Sequence, residues 1–138
     1  MAAKLILLVS FALVAGIGGQ FVYDIQIRTG ALKPQTGRLF VILRSPKHVN
    51  NISMSSQPQK LKPFTTYASA AQSPIAAPQL NGATFQWTTT NRTASAIAVK
   101  RVTVIPKYLK EPYRSQFTKN FCLNGIAFPN YVIPMQMC

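Results

Sequence analysis

The chain has 138 residues and a formal net charge of +13, because 15 Lys and Arg side chains face only two acidic ones. This length provides one domain with one hydrophobic core and excludes a second domain. The charge excludes a cationic partner and favours an anionic one, since the field of a basic domain attracts anions and repels cations.

Residues 1–19 have the layout of a secretory signal peptide. Lys4 gives a positive start, residues 5–14 form an apolar run, and small residues follow at 15–19. The run is shorter than the about 20 apolar residues of a membrane-spanning helix, which favours cleavage over anchoring. We therefore expect residues 20–138 to be secreted as a single domain, and we expect no nucleic-acid partner outside the cell.

The first two predicted strands lie at 21–28 and 38–43. Over 21–28 apolar and polar residues alternate, which is typical of a half-buried strand. The residues on its apolar face are Phe21, Tyr23, Ile25 and Ile27. Residues 38–43 are mostly apolar and indicate a strand buried on both faces. The Gly- and Pro-containing segment 29–37 between them predicts a β-hairpin with a long loop.

Residues 45–79 have no clear period and contain repeated prolines together with many Ser and Gln side chains. Proline cannot donate a hydrogen bond to a strand ladder, so it favours loops and edge strands. Residues 64–67 and Ile75 are candidates for short edge strands. We expect this region to be the least regular part of the fold.

Strand patterning returns at 84–89, where Trp87 is expected to face the core. Residues 96–105 are rich in β-branched residues and predict a further strand. Because alternate residues of a strand point to opposite sides, Lys100 and Arg101 are expected on different faces.

The last two predicted strands, 117–123 and 126–133, follow a basic loop at 106–114. Asn124 and Gly125 separate them, and Asn-Gly is the strongest short hairpin signal. No stretch after the signal peptide has a sustained helical period. Short strands separated by Gly, Pro and Asn predict an all-β protein, an antiparallel β-sandwich of about seven or eight strands.

Two features of the sequence support an extracellular location. Cys122 and Cys138 favour one intramolecular disulfide in an oxidising compartment, with free or intermolecular thiols as the alternative. Closing that loop would stabilise the fold by about 3 kcal/mol in the chain-entropy description. The acceptor pattern Asn-x-Ser/Thr begins at Asn51 and Asn91, which are the candidate glycosylation sites and lie in turn-like sequence.

The order of these segments resembles the PLAT domain, the C-terminal β-sandwich of the pancreatic-type lipases. The segments similar to the family are its first two strands at 23–27 and 37–43, its Phe-x-Trp strand at 83–87, and the following strand at 94–95 with 102–105. Cys122 and Cys138 look like its closing disulfide. The proline-rich middle departs from the family pattern. The sequence contains no lipase catalytic domain, so the resemblance implies a binding module.

The resemblance implies contacts with lipid surfaces, protein cofactors or heparin-like glycans. Some relatives bind calcium in this fold, but a calcium site needs several oxygen ligands, mostly carboxylates. Asp24 and Glu111 are the only acidic residues and lie far apart in sequence. We therefore expect no metal and no cofactor.

The sequence contains no recognisable set of catalytic residues. A Ser-His-Asp triad would need His48 and Asp24 to converge on a serine, and the Gly-x-Ser-x-Gly turn that presents such a serine is missing. Glycoside chemistry needs two carboxylates at one site, and Asp24 with Glu111 is the only pair available, so this chemistry is not expected. Zinc would need three or four ligands, and one His with two Cys that are expected to form a disulfide does not supply them. We predict that the protein is not an enzyme and has no small-molecule substrate, and that His48 lies in an exposed loop.

Basic and aromatic residues are interleaved in residues 100–114. The predicted anion-binding residues are Lys100, Arg101, Lys107, Lys110 and Arg114. The predicted membrane-contact residues are Tyr108, Leu109 and Tyr113, because amphipathic rings suit a membrane interface. Ordinary packing at the sandwich edge is the alternative for these three. A second basic cluster consists of Arg44, Lys47, Lys60 and Lys62.

These features together predict a secreted, non-catalytic binding module whose partner is an anionic lipid surface, an acidic glycan or an acidic protein. Two other functions fit the same composition. One is a structural matrix or coat protein that assembles with acidic macromolecules. The other is a cationic, membrane-active defence or venom protein.

Overall fold

The computed structural model describes residues 20–138, which form short strands joined by turns. The strands are β1 (Phe21–Thr29), β2 (Gln35–Arg44), β3 (Val49–Ser53), β4 (Gln59–Leu61), β5 (Thr66–Ser73), β6 (Gly82–Thr88), β7 (Ile97–Pro106), β8 (Lys119–Cys122), β9 (Ile126–Ala127) and β10 (Ile133–Met137). One α-helix, α1 (Tyr113–Phe117), and one 3₁₀ turn (Ala77–Gln79) complete the described part. The predicted signal peptide, 1–19, lies outside the described residues and stays a prediction.

The strands form two layers that face each other across one core. One layer has the order β5–β1–β7–β8, and the other has the order β3–β2–β6. The short strands β4 and β9 pair with β2 and β7. Every pairing among the described strands is antiparallel. The predicted all-β sandwich is confirmed, with two short strands beyond the expected count.

Strand β10 joins the two layers into a nearly closed sheet. Its first half pairs with β6, with Ile133 opposite Phe85, and its last residues pair with β8, with Gln136 opposite Cys122. The predicted disulfide is confirmed at the end of this strand, where Cys122 and Cys138 have Cα atoms 5.2 Å apart. The bond therefore fastens the strand that closes one side of the sandwich.

The core consists of the inward faces of both layers. Its largest fully buried side chains are Trp87, Tyr23, Phe85, Phe121, Ile25, Ile27, Leu39, Leu43, Leu61, Ile75, Ile97 and Val41. The predicted alternation of β1 and the core position of Trp87 are both confirmed. The phenol of Tyr23 donates a hydrogen bond to the Ile75 carbonyl, and burial raises its pKa well above the usual value.

The predicted hairpin between the first two strands is wrong. β1 pairs with β5 and β7, whereas β2 pairs with β3, β4 and β6. The two strands lie in opposite layers, so that their apolar faces meet in the core. Alternation fixes which face of a strand is buried, but it does not fix which strand is its neighbour.

Asn124 and Gly125 do not turn the chain back, so the second predicted hairpin is also wrong. β8 and β9 both pair with β7, with Cys122 opposite Arg101 and Ile126 opposite Ala98. The four positions from Cys122 to Ile126 thus lie opposite only three positions of β7, from Arg101 to Ala98, and this extra residue is the pattern of a β-bulge. Gly125 has a φ of 132°, a conformation that other residues rarely adopt.

The prediction of an irregular region at 45–79 is wrong as well. It contains β3, β4 and the whole of β5, which is an edge strand of eight residues. The prolines at 46, 58, 63 and 74 all lie outside these strands, where no ladder hydrogen bond is needed. Of the expected short strands, only the end of 64–67 is a strand, and Ile75 is buried in a turn.

A bulge in β7 places Lys100 and Arg101 on the outside together, which contradicts their predicted opposite faces. Arg28 of β1 pairs with Arg101, and the next residue, Thr29, pairs with Val99, so Lys100 is an extra residue. The buried positions accordingly change from odd to even numbers along the strand. The predicted basic loop at 106–114 is confirmed in part, because its end forms the start of α1.

Candidate functional site

The two ends of the sandwich carry different loops. We call the end where β1 stops and β7 starts the upper end; it bears the β1–β2, β4–β5, β6–β7 and β9–β10 connections. The lower end bears the β2–β3, β5–β6 and β7–β8 connections. The predicted site residues divide between these ends.

The five predicted anion-binding residues do not form one cluster. Lys100 and Arg101 lie on the outer face of β7 towards the upper end. Lys107, Lys110 and Arg114 lie beyond the last residue of β7, at the lower end. Lys107 lies six positions after Arg101 along extended chain, a distance of about 20 Å.

The lower-end loop contains the acid that partly neutralises it. The Glu111 carboxylate accepts hydrogen bonds from the Ser115 hydroxyl and from Arg114 Nε, the latter at 3.1 Å. These two donors hold the pKa of Glu111 below its ordinary value of 4.5. Among residues 20–138, Glu111 and Arg114 form the single ion pair between side chains.

Replacing Ser115 with alanine is expected to raise the pKa of Glu111 towards its ordinary value, because the larger of the two hydrogen-bond contributions is lost. The contacts of the carboxylate are complete above that ordinary value and are lost as the pH falls through the lower folded-state pKa. NMR titration of the Glu111 side chain in both proteins measures the shift. An unchanged pKa would contradict the hydrogen bond from Ser115.

The predicted membrane-contact residues lie in this same lower loop. Tyr108 and Tyr113 are 66% and 58% exposed, whereas Leu109 is half-buried. The ammonium group of Lys107 lies 5.9 Å from the centre of the Tyr108 ring. The two tyrosines are thus available to a partner, and their proposed membrane contact stays a prediction.

Arg28 is a cation of the upper outer face that the sequence interpretation missed. Antiparallel pairing sets it directly opposite Arg101, with no acidic side chain between them. Its Nη1 donates to Thr66 Oγ1 at 3.3 Å. Like charges directly opposite each other in a sheet are unfavourable. The pairing of Arg28 with Arg101 is therefore unfavourable for folding.

Lys100 extends this basic face towards the upper end. Its side chain lies over Gly30, where an added Cβ would come within 3.3 Å of Lys100 Cε. The amide of Gly30 donates a hydrogen bond to the Ala98 carbonyl. The Gly30 carbonyl accepts one from the amide of Phe64, an exposed aromatic residue. We call Arg28, Lys100 and Arg101 the upper basic face.

An exposed apolar segment, residues 126–132, also lies at the upper end, and its first residue, Ile126, pairs with Ala98 of β7. Its exposed large side chains are Ile126, Phe128, Tyr131 and Val132. Phe128 is 54% and Tyr131 is 70% exposed. The sequence interpretation assigned these residues to a strand. The signal that could have identified the segment is the absence of any charged side chain from 120 to 138, in a chain with 15 Lys and Arg.

The apolar segment is held in place by Asn130 and by the Trp87 strand. The Asn130 amide donates to the Trp87 carbonyl at 2.8 Å, and Asn130 Oδ1 accepts from the Thr89 amide at 3.2 Å. The indole of Trp87 donates to the Ala127 carbonyl at 3.0 Å. Asn130 has a φ of 71°, which asparagine tolerates better than most residues. These bonds present the apolar side chains from a fixed backbone.

The remaining candidate residues occupy separate places. His48 is exposed in the turn between β2 and β3, as the sequence predicted. Asn91 is exposed in a turn, whereas Asn51 is exposed on β3, so its predicted turn location is wrong. No three His, Cys, Asp or Glu side chains lie together within residues 20–138. No helix in this part of the chain is long and apolar enough to cross a membrane.

The second predicted basic cluster is split as well. Arg44 and Lys47 lie at the lower end, beside the turn that joins β2 to β3. Lys60 pairs with Thr36 at the start of β2, and Lys62 follows it. Arg44 lies eight positions after Thr36 along β2, which corresponds to about 26 Å.

Comparison with known proteins identifies the fold. Neither a family model nor a curated protein matches the sequence. Solved structures do match: an engineered lipoxygenase in complex with arachidonate has a TM-score of 0.63 at 8% identity, over 85% of this chain. Two further variants of that enzyme have TM-scores of 0.62 at 8% and 7% identity, over 85% and 84% of this chain. Each match covers only 16% of the lipoxygenase chain.

That share of the chain fits the β-barrel domain of lipoxygenases alone. The protein has the PLAT fold. This confirms the resemblance that the sequence suggested, and at 8% identity it establishes the architecture and nothing further. The PLAT-like domain spans about one sixth of the lipoxygenases that it matches.

Proposed function

We propose that this chain is a secreted, non-catalytic PLAT-like module that binds anionic lipid surfaces through its upper end. The observation that carries the proposal is the exposed apolar segment, 126–132, at the same end of the sandwich as the upper basic face, with Ile126 paired to Ala98 of β7. The signal-peptide pattern of 1–19 and the Cys122–Cys138 disulfide support secretion. The match to the β-barrel part of lipoxygenases supports a binding role without catalysis.

The upper end combines the two contributions that hold a protein on an anionic membrane. Aromatic side chains such as Phe128 and Tyr131 leave water for the interface, where burying one large apolar side chain is worth about 1.5–3 kcal/mol when complete. Each Lys or Arg near an anionic surface adds about 1 kcal/mol. The fixed backbone of the segment lowers the entropy lost on insertion.

The lower-end loop is the alternative membrane contact. Its two tyrosines, Tyr108 and Tyr113, are similar in exposure to Phe128 and Tyr131 of the upper end. Its ion pair between Glu111 and Arg114 removes part of its attraction for anions, whereas the upper basic face contains no acid. For that reason we favour the upper end. The lower-end residues predicted from sequence serve as the control in the experiment that follows.

Replacing Phe128 and Tyr131 together with serine is expected to weaken binding to anionic vesicles by about 50-fold, from the lost apolar transfer. Cosedimentation with vesicles of phosphatidylcholine and phosphatidylserine measures the affinity. The matched control replaces Tyr108 and Tyr113 with serine, because these tyrosines are equally exposed at the lower end. The control is expected to bind like the unchanged protein.

The basic face is tested in the same assay across a salt series. Replacing Lys100 and Arg101 with glutamine should weaken binding at low salt about 30-fold and flatten its salt dependence. The matched control replaces Lys107 and Lys110. Loss of binding in the lower-end variants alone would move the site to the lower loop. Absence of vesicle binding by the unchanged protein at low salt would refute the lipid-surface function.

A further inference from the structure

The edge strand β5 is open along one side. It pairs with β1 alone, over all eight of its residues. In an antiparallel pair, alternate residues direct their N–H and C=O groups away from the partner strand. Among the described residues, no backbone group bonds to these outward groups of β5, and only the Ser69 hydroxyl reaches one carbonyl, that of Ala70, at 3.4 Å. The strand therefore offers a row of free donors and acceptors.

The devices that usually block an edge strand are missing from β5. Such strands are kept short or carry a lysine, a proline or a β-bulge. β5 is longer than the usual five or six residues, its register with β1 is unbroken, and its sequence contains neither proline nor charge. The whole segment 63–91 is uncharged, in a chain with 15 Lys and Arg.

The edge strand of the other layer differs in each of these respects. β3 has five residues, and Lys47 and His48 precede it directly. Its exposed residue Asn51 begins a glycosylation pattern, and a glycan at that position would cover the edge. The fold thus has one obstructed edge and one open edge, and a strand can be added only at β5.

Both ends of β5 are fixed to the rest of the domain. Near its start, the phenol of Tyr67 donates to the Lys60 carbonyl at 3.0 Å and accepts from the Lys62 amide at 2.7 Å. At its end Ser73 is buried, and its hydroxyl accepts from the Ile75 amide at 3.1 Å. A strand held in this way loses little entropy when another strand pairs with it.

We propose that β5 is a dimer interface, at which β5 of a second copy of this chain adds antiparallel across a two-fold axis. Burial of Ser73 limits the pairing to residues 66–72, so that Ser69, the middle residue, lies opposite its own copy. Ala68 then lies opposite the partner's Ala70, and Tyr67 lies opposite the partner's Ala71. The small side chains allow close approach of the backbones and leave room for the ring. Because both copies use the same patch, the assembly closes at two chains.

The high net charge does not oppose this contact at short range. Residues 66–72 carry no charge, and the one cation of β1, Arg28, lies opposite Thr66. In a register centred on Ser69, Arg28 and its copy lie six positions apart along the strands, about 20 Å. Salt screens exposed charges that are more than about 8 Å apart. A second copy thus meets an uncharged strand that complements it.

Sedimentation equilibrium of the secreted protein measures its mass as the concentration is raised. We expect a change from one chain to two and no larger assembly. Replacing Ala68 and Ala70 with lysine sets like charges opposite each other at the contact and should raise the dissociation constant of the dimer about tenfold. Replacing both with glutamate should act likewise, and an equal mixture of the two variants should restore dimers. A single chain up to millimolar concentration, or no recovery in the mixture, would overturn the interface.

The matched control replaces Gln26 and Gln136 with lysine. Both side chains are exposed, and they add the same charge on β1 and β10, away from the open edge. The control should form dimers like the unchanged protein. Equal weakening by the control would show that only the net charge matters and would overturn the interface.

A cysteine at position 69 tests the register without a change of charge. The Cα atoms of Ser69 and its copy would be about 4.5–5.5 Å apart, within the range of a disulfide. Ser69→Cys should therefore give a covalent dimer under mild oxidation. Gln26→Cys is the control, because its copy would lie three strand spacings away, about 14 Å. Equal cross-linking of both variants, or none at position 69, would overturn the pairing.

The antiparallel arrangement has a consequence that rests on the proposed lipid-surface function. β5 begins at the upper end, so the two copies present their upper ends on opposite sides of the dimer. The dimer should then bridge two anionic vesicles, and light scattering should detect clusters of phosphatidylserine vesicles.

The variant with lysine at positions 68 and 70 should bind the same vesicles without clustering them. Vesicle binding by the dimer without clustering would overturn the antiparallel arrangement. Dimers that bind no vesicles would refute the lipid-surface function and would still support the interface at β5.

Discussion

Replacing Trp87 with alanine is expected to lower the free energy of unfolding by about 3–5 kcal/mol, the range for a large aromatic residue removed from a packed core. Trp87 is fully buried and lies against Gly37, where a Cβ would come within 2.9 Å of its ring. Urea denaturation followed by circular dichroism measures the loss. Small domains have about 5–15 kcal/mol in total, so this variant should be close to unfolding.

Trp87→Phe separates packing from hydrogen bonding at the same position. It keeps an aromatic ring but leaves the buried Ala127 carbonyl without the indole donor, which costs about 1–3 kcal/mol. The same change should loosen the apolar segment, because Ala127 lies immediately after its first residue. A Trp87→Ala variant as stable as the unchanged protein would contradict the position of Trp87 in the core.

Replacing Cys122 and Cys138 together with serine is expected to cost about 3 kcal/mol, the value for a closed loop of this length in the chain-entropy description. The bond fastens β10, the strand that connects the two layers. Urea denaturation of the unchanged protein, with and without reductant, should reproduce this loss. The double variant is the control, since reductant should leave its stability unchanged. An equal effect of reductant on both proteins would contradict the disulfide.

The faces of the strands could be predicted from the sequence, but their neighbours could not. The alternation of residues 21–28 identified the buried face of β1 correctly, and the Phe85 and Trp87 positions did the same for β6. Pairing depends on contacts between distant parts of the chain, which a local period does not contain. The hairpins predicted from loop length and from Asn124-Gly125 failed for this reason.

Two local irregularities also escaped prediction. The extra residue Lys100 changes the phase of β7, and Gly125 accommodates a bulge on the strand beside it. Both depend on the partner strand, because a bulge is defined by two residues opposite one. A strict period of two therefore gave the wrong faces for Lys100 and Arg101.

The candidate site was found only in part because charge is visible in a sequence and exposure is not. Lys100 and Arg101 were identified from their charge, but Arg28 belongs to another strand and joins them only through the register of the sheet. Residues 126–132 have the composition of a core strand. Their exposure follows from the turn held by Asn130, which leaves Phe128 and Tyr131 outside the core.

The PLAT-like domain thus presents two different ends to a membrane. The upper end combines apolar and basic groups, whereas the lower loop contains its own counter-ion. The proposed function assigns the lipid surface to the upper end.

The most direct test of the lipid-surface function is the depth of residue 128 in a bound membrane. Phe128→Trp and Tyr108→Trp each place an exposed indole at one end of the domain, while Trp87 stays buried as a common background. Fluorescence is measured with anionic vesicles whose acyl chains carry bromine as a quencher. We expect the indole at 128 to shift to shorter wavelength and to be quenched, and the indole at 108 to remain as in water. Quenching at 108 alone, or at neither position, would contradict insertion of the upper end.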